Sequence, residues 1–240
     1  IAGTTKNNHN MKKRKDTTQE LNFYCEKRLA EAHIKGPRQF VGPEGQLSQP
    51  IQQLEPTRVF RNLGADALGI LYSDWNGRPY RNPAIAKDAP KFFIRYRLAP
   101  WSELGDMKYW QPKHTGTHIY GNALYWHFTS RAKPTHFIVF CEGEMKAETL
   151  CANGVPAVAV AGISALTGQA KAESIAMIDQ LKPKRILFLY DQDAYANAYK
   201  SDRAKNFARS MWKFVELAKS LDTEARIFIP SAKLKGKGID

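Results

Sequence analysis

The chain has 240 residues, of which 43% are apolar, and its Lys and Arg residues outnumber its Asp and Glu residues by 36 to 23. This length and apolar content suffice for one large domain or two small ones. The formal charge of +13 favours phosphate polyanions as partners, although a solvated lysine surface gives the same balance. Three cysteines argue against a disulfide framework or a four-cysteine zinc site, so we expect a reducing, cytoplasmic setting. No stretch approaches the roughly 20 apolar residues of a membrane span, which predicts a protein without a membrane partner.

The first part of the chain is basic and irregular. Residues 1–20 include the run Lys12–Lys15, and we interpret them as a basic tail. The missing initial Met and the abrupt end are typical of a piece of a longer polypeptide. A helix is predicted over Leu21–Ile34, because apolar residues recur there at helical spacing and a Gly-Pro stop follows. Pro, Gly and Gln predict an irregular connection over Gly36–Pro56.

Two strands are predicted next, at Ala67–Tyr72 and Phe92–Leu98. Between them, Asn76-Gly77 is typical of a tight turn. Strict alternation in the second strand places Arg95 and Arg97 on the face opposite to its apolar residues. We therefore expect one face to pack and the other to meet a phosphate chain, with merely solvated arginines as the alternative.

Strands and helices alternate in the second half of the chain. The predicted elements are strand His136–Cys141, helix Glu144–Ala152, strand Pro156–Val160, helix Leu166–Leu181, strand Lys184–Tyr190, a long amphipathic helix from Phe207 to Leu221, and strand Ala225–Ile229. This order predicts parallel strands joined by crossover helices. The fold class is thus an α/β domain with a mostly parallel sheet flanked by helices over residues 135–240, preceded by an α+β nucleic-acid-binding subdomain over residues 21–134.

Acidic residues follow two of these buried strands. Glu142 comes directly after the first strand, and Asp191 and Asp193 come directly after the third. Ligands of open α/β sheets bind outside the carboxyl ends of the strands, and oxygen-only ligands suit Mg²⁺ or Mn²⁺. Gly143 permits a tight strand-to-helix turn beside Glu142. The alternatives are a helix N-cap for Asp193 and first-turn helix acids for Glu142 or Glu144.

Three segments, Phe140–Glu144, Gly154–Gly162 and Leu189–Asp193, resemble in this order the Toprim fold of bacterial-type primases, type IA and type II topoisomerases and some nucleases. Lys108–Pro112 resembles the part of bacterial primase catalytic cores that precedes the Toprim domain. The Glu-Gly-Glu-Met-Lys-Ala form also resembles Toprim-containing domains of plasmid and phage replication proteins, in which primase is often fused to a helicase.

The resemblance implies roles for the three acids. Glu142 is implied to be a general acid or base, or a metal ligand, while Asp191 and Asp193 hold the Mg²⁺ or Mn²⁺. The metal is implied to neutralise an incoming nucleoside triphosphate and to orient the attacking 3′-hydroxyl. The chain departs from the cellular primase pattern at Lys146, where a further Asp is usual, and at Ala194, where Gly is common. These departures leave the number of metals open.

Basic residues complete the predicted site. Lys146, one helical turn beyond Glu142, is positioned to offer its ammonium to a phosphate, with a solvated helix lysine as the alternative. The other candidates for nucleotide or nucleic-acid binding are Arg95, Arg97, Lys108, Lys233, Lys235 and Lys237.

These features predict a primase-like, metal-dependent nucleotidyltransferase that synthesises primers on single-stranded DNA during replication of a plasmid, phage or other mobile element. Its implied partners are the single-stranded template, nucleoside triphosphates and a helicase. A Toprim nuclease and a single-stranded DNA-binding accessory domain are the alternatives; retention of all three acids argues against the second. The chain lacks room for the gate domains of a topoisomerase. Whether primers are RNA or DNA stays open.

Overall fold

A computed structural model describes most of the predicted α+β subdomain, residues 21–134, and most of the predicted α/β domain, residues 135–240. It describes residues 20, 23, 25–28, 30, 54–59, 65–83, 91–101, 107–123, 125, 126, 135–162, 166–190 and 202–228. The described residues between 20 and 30 are helical, in agreement with the predicted helix Leu21–Ile34, and the rest of that helix lies outside them. The basic tail over residues 1–19 also lies outside the described residues.

The first sheet is antiparallel, with its four strands in the order β1-β2-β3-β4. The strands are β1 Leu54–Val59, β2 Ala65–Leu71, β3 Ile94–Leu98 and β4 Tyr109–Trp110. The two predicted strands are confirmed as β2 and β3. The prediction of an irregular connection reaching Pro56 is wrong at its end, because Pro56 lies within β1 opposite Leu68. β1 is an edge strand, where a residue without a backbone N–H is tolerated.

The predicted tight turn is confirmed beyond β2. The Gly77 N–H donates to the Asp74 carbonyl oxygen over 3.0 Å. The Asp74 carboxylate also accepts hydrogen bonds of 2.8 Å from the backbone N–H groups of Asn76 and Arg78. An Asp side chain that satisfies its own turn in this way is a common reason for Asp at this position.

The second sheet has five strands in the order β5-β7-β6-β8-β9. Its elements are β5 Tyr120–Gly121, β6 Phe137–Glu142, helix α1 Glu144–Ala152, β7 Ala157–Val160, α2 Gly168–Leu181, β8 Arg185–Leu189, α3 Asp202–Ser220 and β9 Glu224–Phe228. β6 pairs in parallel with β7 and β8, β8 pairs in parallel with β9, and β5 is antiparallel to β7. The predicted mostly parallel α/β sheet is confirmed.

Both faces of this sheet are covered, which explains the near-continuous apolar strands. On one face, Phe140 and Phe188 belong to the core formed with α2 and α3. On the other face, residues such as Cys141 share a core with α1, with Ile70 of β2 and with Tyr72, which directly follows β2. The two sheets are therefore joined through one apolar cluster, which brings the first sheet to α1. None of the helices among the described residues has the continuous apolar length that a membrane-spanning helix requires.

Candidate functional site

The site is built around the junction between β6 and α1. Glu142 is the last residue of β6, Gly143 has φ 90° and ψ 140°, and α1 begins at Glu144. A Cβ at Gly143 would have open space around it, so the backbone conformation alone requires glycine here. The predicted tight turn at Gly143 is confirmed, and it places Glu142 at the carboxyl edge of the sheet.

A cavity of about 150 Å³ lies at this turn. It is lined by residues from both sheets. The charged side chains among them are Arg95, Arg97, Lys108, Glu142, Glu144 and Lys146. The cavity therefore brings together Glu142 and all four candidate basic residues that fall within the described residues.

Strand β3 presents its two arginines to this cavity because of its alternation. Tyr96 and Leu98 are buried in a small core with Ala67 on the opposite face. Arg95 and Arg97 line the cavity, so the predicted division of the two faces is confirmed. The alternative of a solvated arginine is wrong for Arg95, whose side chain is 12% exposed.

The alternative of a first-turn helix acid is confirmed for Glu144, which begins α1. The structure also buries this side chain fully, which the sequence does not indicate. Its Oε1 accepts hydrogen bonds from the Tyr72 hydroxyl over 2.5 Å and from Arg95 Nη1 over 2.7 Å. Its Oε2 has no hydrogen-bond partner among the described residues. No sequence signal marks this contact, because Tyr72 and Arg95 lie far from Glu144 along the chain.

The pKa values of Tyr72 and Arg95 in this cluster are both raised. Burial, and then the neighbouring Glu144 carboxylate, raises the pKa of Tyr72 well above its usual value of 10.0. Burial opposes the charge on Arg95, but Glu144 and Tyr72 raise the pKa of its guanidinium above its usual value overall. The tyrosine therefore stays protonated and the arginine stays cationic at neutral pH.

Tyr109 of β4 holds both arginines at the cavity wall. The Arg95 guanidinium carbon lies 4.1 Å from the centre of the Tyr109 ring, and that of Arg97 lies 5.6 Å from it. Arg97 Nη1 also donates to the Tyr109 hydroxyl over 3.1 Å. These are cation–π distances, and they fix two flexible side chains in place. Sequence reasoning named Lys108 but missed Tyr109 beside it.

Lys146 is buried, with 6% of its surface exposed. The predicted alternative of a solvated helix lysine is therefore wrong. Its place in the first turn of α1 is electrostatically unfavourable, because the helix dipole repels cations there. Burial of an ammonium is costly as well.

The remaining predicted residues lie outside the described residues: Asp191, Asp193, Lys233, Lys235 and Lys237. The described end of β8 is nevertheless informative, since Leu189 pairs in parallel with Cys141 of β6. Both strands therefore end at the same edge of the sheet. No cluster of three or more His, Cys, Asp or Glu side chains suited to a metal occurs among the described residues. Of these residues, Glu142 offers the cavity a carboxylate of the kind that a hard cation binds.

Comparison with known proteins gives two results. Residues 125–240 match the model of a family described as a domain of unknown function, DUF3854. The chain is also similar to a solved structure described as the DnaG primase catalytic domain bound to ssDNA, with 18% sequence identity and a TM-score of 0.41. That similarity covers 76% of this chain and 49% of the solved chain, so the matched part is about half the length of that protein. No curated protein matches the chain.

Proposed function

We propose that this chain is a primase-like, metal-dependent nucleotidyltransferase of the Toprim type, which makes primers on single-stranded DNA. The observation that carries the proposal is the shared cavity, in which Glu142 at the end of β6 lies with Arg95 and Arg97 of β3, Lys108 before β4 and Lys146 of α1. Phosphoryl transfer depends on positioning and on electrostatic stabilisation of phosphate charge. A carboxylate for a metal and several cations for phosphates are the groups that this chemistry requires.

Glu142, Asp191 and Asp193 are the residues that would hold Mg²⁺ or Mn²⁺ in this proposal. When bound, such a metal neutralises phosphate charge and orients the reacting oxygens. Arg97 and Lys108 hold the phosphates of the incoming nucleoside triphosphate at the wall of the cavity. A Glu142 oxygen accepts the proton of the attacking hydroxyl if the carboxylate is not itself a metal ligand.

Template binding is assigned to the first sheet and to the basic residues near it. Its arginines lie beside the cavity, so a single strand tracking this sheet would deliver its bases close to the reacting phosphates. Lys108, which is exposed, lines the same cavity. Replication of a plasmid, phage or other mobile element, with a helicase as partner, is proposed on the sequence resemblance alone.

The test is a gel assay with single-stranded DNA, Mg²⁺ or Mn²⁺ and labelled nucleoside triphosphates. We expect short new products that disappear in Asp191→Ala and in Glu142→Ala. Asp179→Ala is the matched control, because Asp179 is an exposed carboxylate on α2. Cleavage of the template without new products would contradict the proposal and support the nuclease alternative. DNA binding with neither new products nor cleaved template would contradict the proposal and support the accessory-domain alternative.

A further inference from the structure

Helix α3 presents to solvent a charged face that contains one large aromatic side chain. This Trp212 face consists of the exposed residues Lys205, Arg209, Trp212, Glu216 and Lys219. Their spacing of four, three, four and three positions places them within about 80° of the helix circumference. The apolar side of α3, which includes Phe214 and Val215, packs in the core against the second sheet.

Trp212 is 61% exposed, although tryptophan is highly buried on average. Its Nε1 donates to Glu216 Oε1 over 3.0 Å. This hydrogen bond holds one edge of the indole on the helix while most of the ring surface stays open to solvent. Because isolated exposed apolar residues are common, the identity of a partner depends on the groups around the ring.

The groups around Trp212 are mainly cationic. Lys205, Arg209 and Lys219 give the Trp212 face three positive charges against the single carboxylate of Glu216. A protein-docking surface has an apolar centre made of several side chains, whereas Trp212 is the one large apolar residue on this face, all of whose residues the structure describes. Aromatic rings among cations instead fit single-stranded nucleic acids, whose bases stack and whose phosphates pair with Lys and Arg.

The Trp212 face lies on the other side of the second sheet from the cavity. α1, which lines the cavity, packs in the same core as Cys141 and Ala159. α3 packs in the same core as Phe140 and Val158. Successive residues of a strand point to opposite faces of the sheet, so α1 and α3 cover opposite faces. A strand bound on α3 is therefore held outside the cavity.

We infer that the Trp212 face of α3 is a second binding surface for single-stranded nucleic acid, separate from the cavity and from the first sheet. One base stacks on the Trp212 ring, while Arg209 and Lys219 pair with backbone phosphates on either side of it. Lys205 and Lys219 are about 21 Å apart along the helix axis, which gives the strand a contact several nucleotides long. The inference goes beyond the proposed function, because this binding requires neither a metal nor the cavity.

The test measures the fluorescence anisotropy of end-labelled oligothymidine titrated with the full chain in excess EDTA. Trp212→Ala should weaken binding by roughly 5- to 150-fold, the range expected when one stacked base loses its aromatic partner. Trp212→Phe should recover part of the loss, because it retains an aromatic face. An oligomer of the same length without bases should bind wild type and Trp212→Ala equally, since it has no base to stack.

The phosphate contacts have a separate signature. Loss of one contact to a single strand makes the slope of log affinity against log salt concentration less negative by about 0.7. Arg209→Ala should show this change with both oligomers. Lys184→Ala is the control for charge and should keep the slope, because Lys184 is an exposed cation that precedes β8.

Phe228→Ala is the matched control for Trp212→Ala. Phe228 is an exposed aromatic residue of β9, at 53%, and it pairs with Leu189, which packs against the core on the α1 side of the sheet. Its loss should leave oligothymidine affinity unchanged. Circular dichroism would verify that both variants are folded.

Three results would overturn the inference. Equal oligothymidine affinities of Trp212→Ala and Phe228→Ala would show that the ring contributes nothing. Equal losses in Trp212→Ala for oligothymidine and for the oligomer without bases would exclude stacking. A wild-type dimer that becomes monomeric in Trp212→Ala during sedimentation, with DNA affinity unchanged, would assign the face to a second copy of the chain. A chain that binds oligothymidine through Trp212 but makes no primers would contradict the proposed function alone.

Discussion

Arg95 and Glu144 form an ion pair of 2.7 Å that joins the antiparallel sheet to the first turn of α1. Glu144 is fully buried and Arg95 is nearly so. Residues of the antiparallel sheet and of α1 line the two walls of the cavity, so the Arg95–Glu144 ion pair also sets the distance between these walls. A single buried contact thus links the stability of the fold to the geometry of the candidate site.

Loss of the Glu144 carboxylate should destabilise the protein strongly. Glu144→Ala leaves the Arg95 guanidinium buried without its partner, which costs about 3–5 kcal/mol of unfolding free energy. Urea denaturation followed by circular dichroism measures this change. Replacing both residues with Met should recover part of the loss, because no uncompensated charge then stays buried.

The exposed ion pair between Arg185 and Glu224 provides the comparison. Both of its side chains are about half exposed, so solvent screens the interaction. Glu224→Ala should leave the unfolding free energy almost unchanged. Equal losses in Glu144→Ala and Glu224→Ala would show that burial does not set the strength of the Arg95–Glu144 contact.

Tyr72 makes stability sensitive to alkaline pH. Its folded pKa is raised above the usual value of 10.0, first by burial and then by Glu144. A group with a raised folded pKa contributes stability that is complete below its unfolded pKa and is lost as pH rises toward the folded pKa. The unfolding free energy should therefore fall above pH 10, by up to about 1.4 kcal/mol per pH unit for this one group.

Tyr72→Phe tests this assignment. The variant should be less stable at pH 8, because Glu144 loses a buried hydrogen bond worth about 1–3 kcal/mol. Its stability should also fall less steeply than that of the wild type between pH 10 and 11. Some decrease of stability with pH should remain in the variant because of Tyr80, whose pKa is raised as well, mainly by burial. If stability falls equally steeply with pH in the wild type and in Tyr72→Phe, Tyr72 is not the source of the pH dependence.

The local sequence patterns predict most of the fold because each reports a single element. Apolar runs mark strands buried on both faces, and alternation in β3 separates its arginines from Tyr96 and Leu98. The Glu-Gly-Glu sequence marks a strand, a turn and a helix that begins at Glu144 as expected. Once β3 and the turn between β6 and α1 lie side by side, Arg95, Arg97 and Glu142 all line the cavity.

Other features depend on contacts that the local pattern does not contain. Tyr72 and Glu144 are 72 positions apart, and their hydrogen bond exists only after both sheets pack together. β4 and β5 have two residues each, too few for a periodic signal. Pro56 argues against a strand unless it is known that β1 lies at an edge. Burial of Lys146 likewise follows from packing and not from helical spacing.

Gly143→Ala should impair both stability and the candidate site. The backbone of Gly143 has a positive φ of 90°, and a side chain at such φ/ψ values costs about 1–3 kcal/mol. Relief of this strain would move Glu142, so primer synthesis should fall more than the loss of folded protein explains. Gly154→Ala is the control, because Gly154 also has positive φ and open space but does not line the cavity. Equal losses of activity in both variants would assign the effect to stability alone.

Gly121→Ala should disturb the junction between the Asp74 turn and the second sheet. A Cβ at Gly121 would lie 3.0 Å from the Asp74 carbonyl oxygen, 3.2 Å from the Ser73 carbonyl oxygen and 3.1 Å from Trp126 Cδ1. Two of these atoms belong to backbone, and the Gly121 N–H itself donates to the Ser73 carbonyl oxygen over 2.9 Å. Such crowding typically costs about 1–3 kcal/mol.

Thermal denaturation measures this loss, and the pairing of β5 with β7 determines how far it spreads. Gly121 lies opposite Val158, whose side chain is in the core against α2 and α3. Displacement of β5 should therefore loosen that core and lower the protection of β7 amides against hydrogen exchange. Reduced protection confined to residues 73–78 would instead mean that the turn moves alone. Unchanged stability and unchanged protection would mean that the turn and β5 are not in close contact, and the connection between the two sheets would then depend on the cluster around Tyr72 and α1.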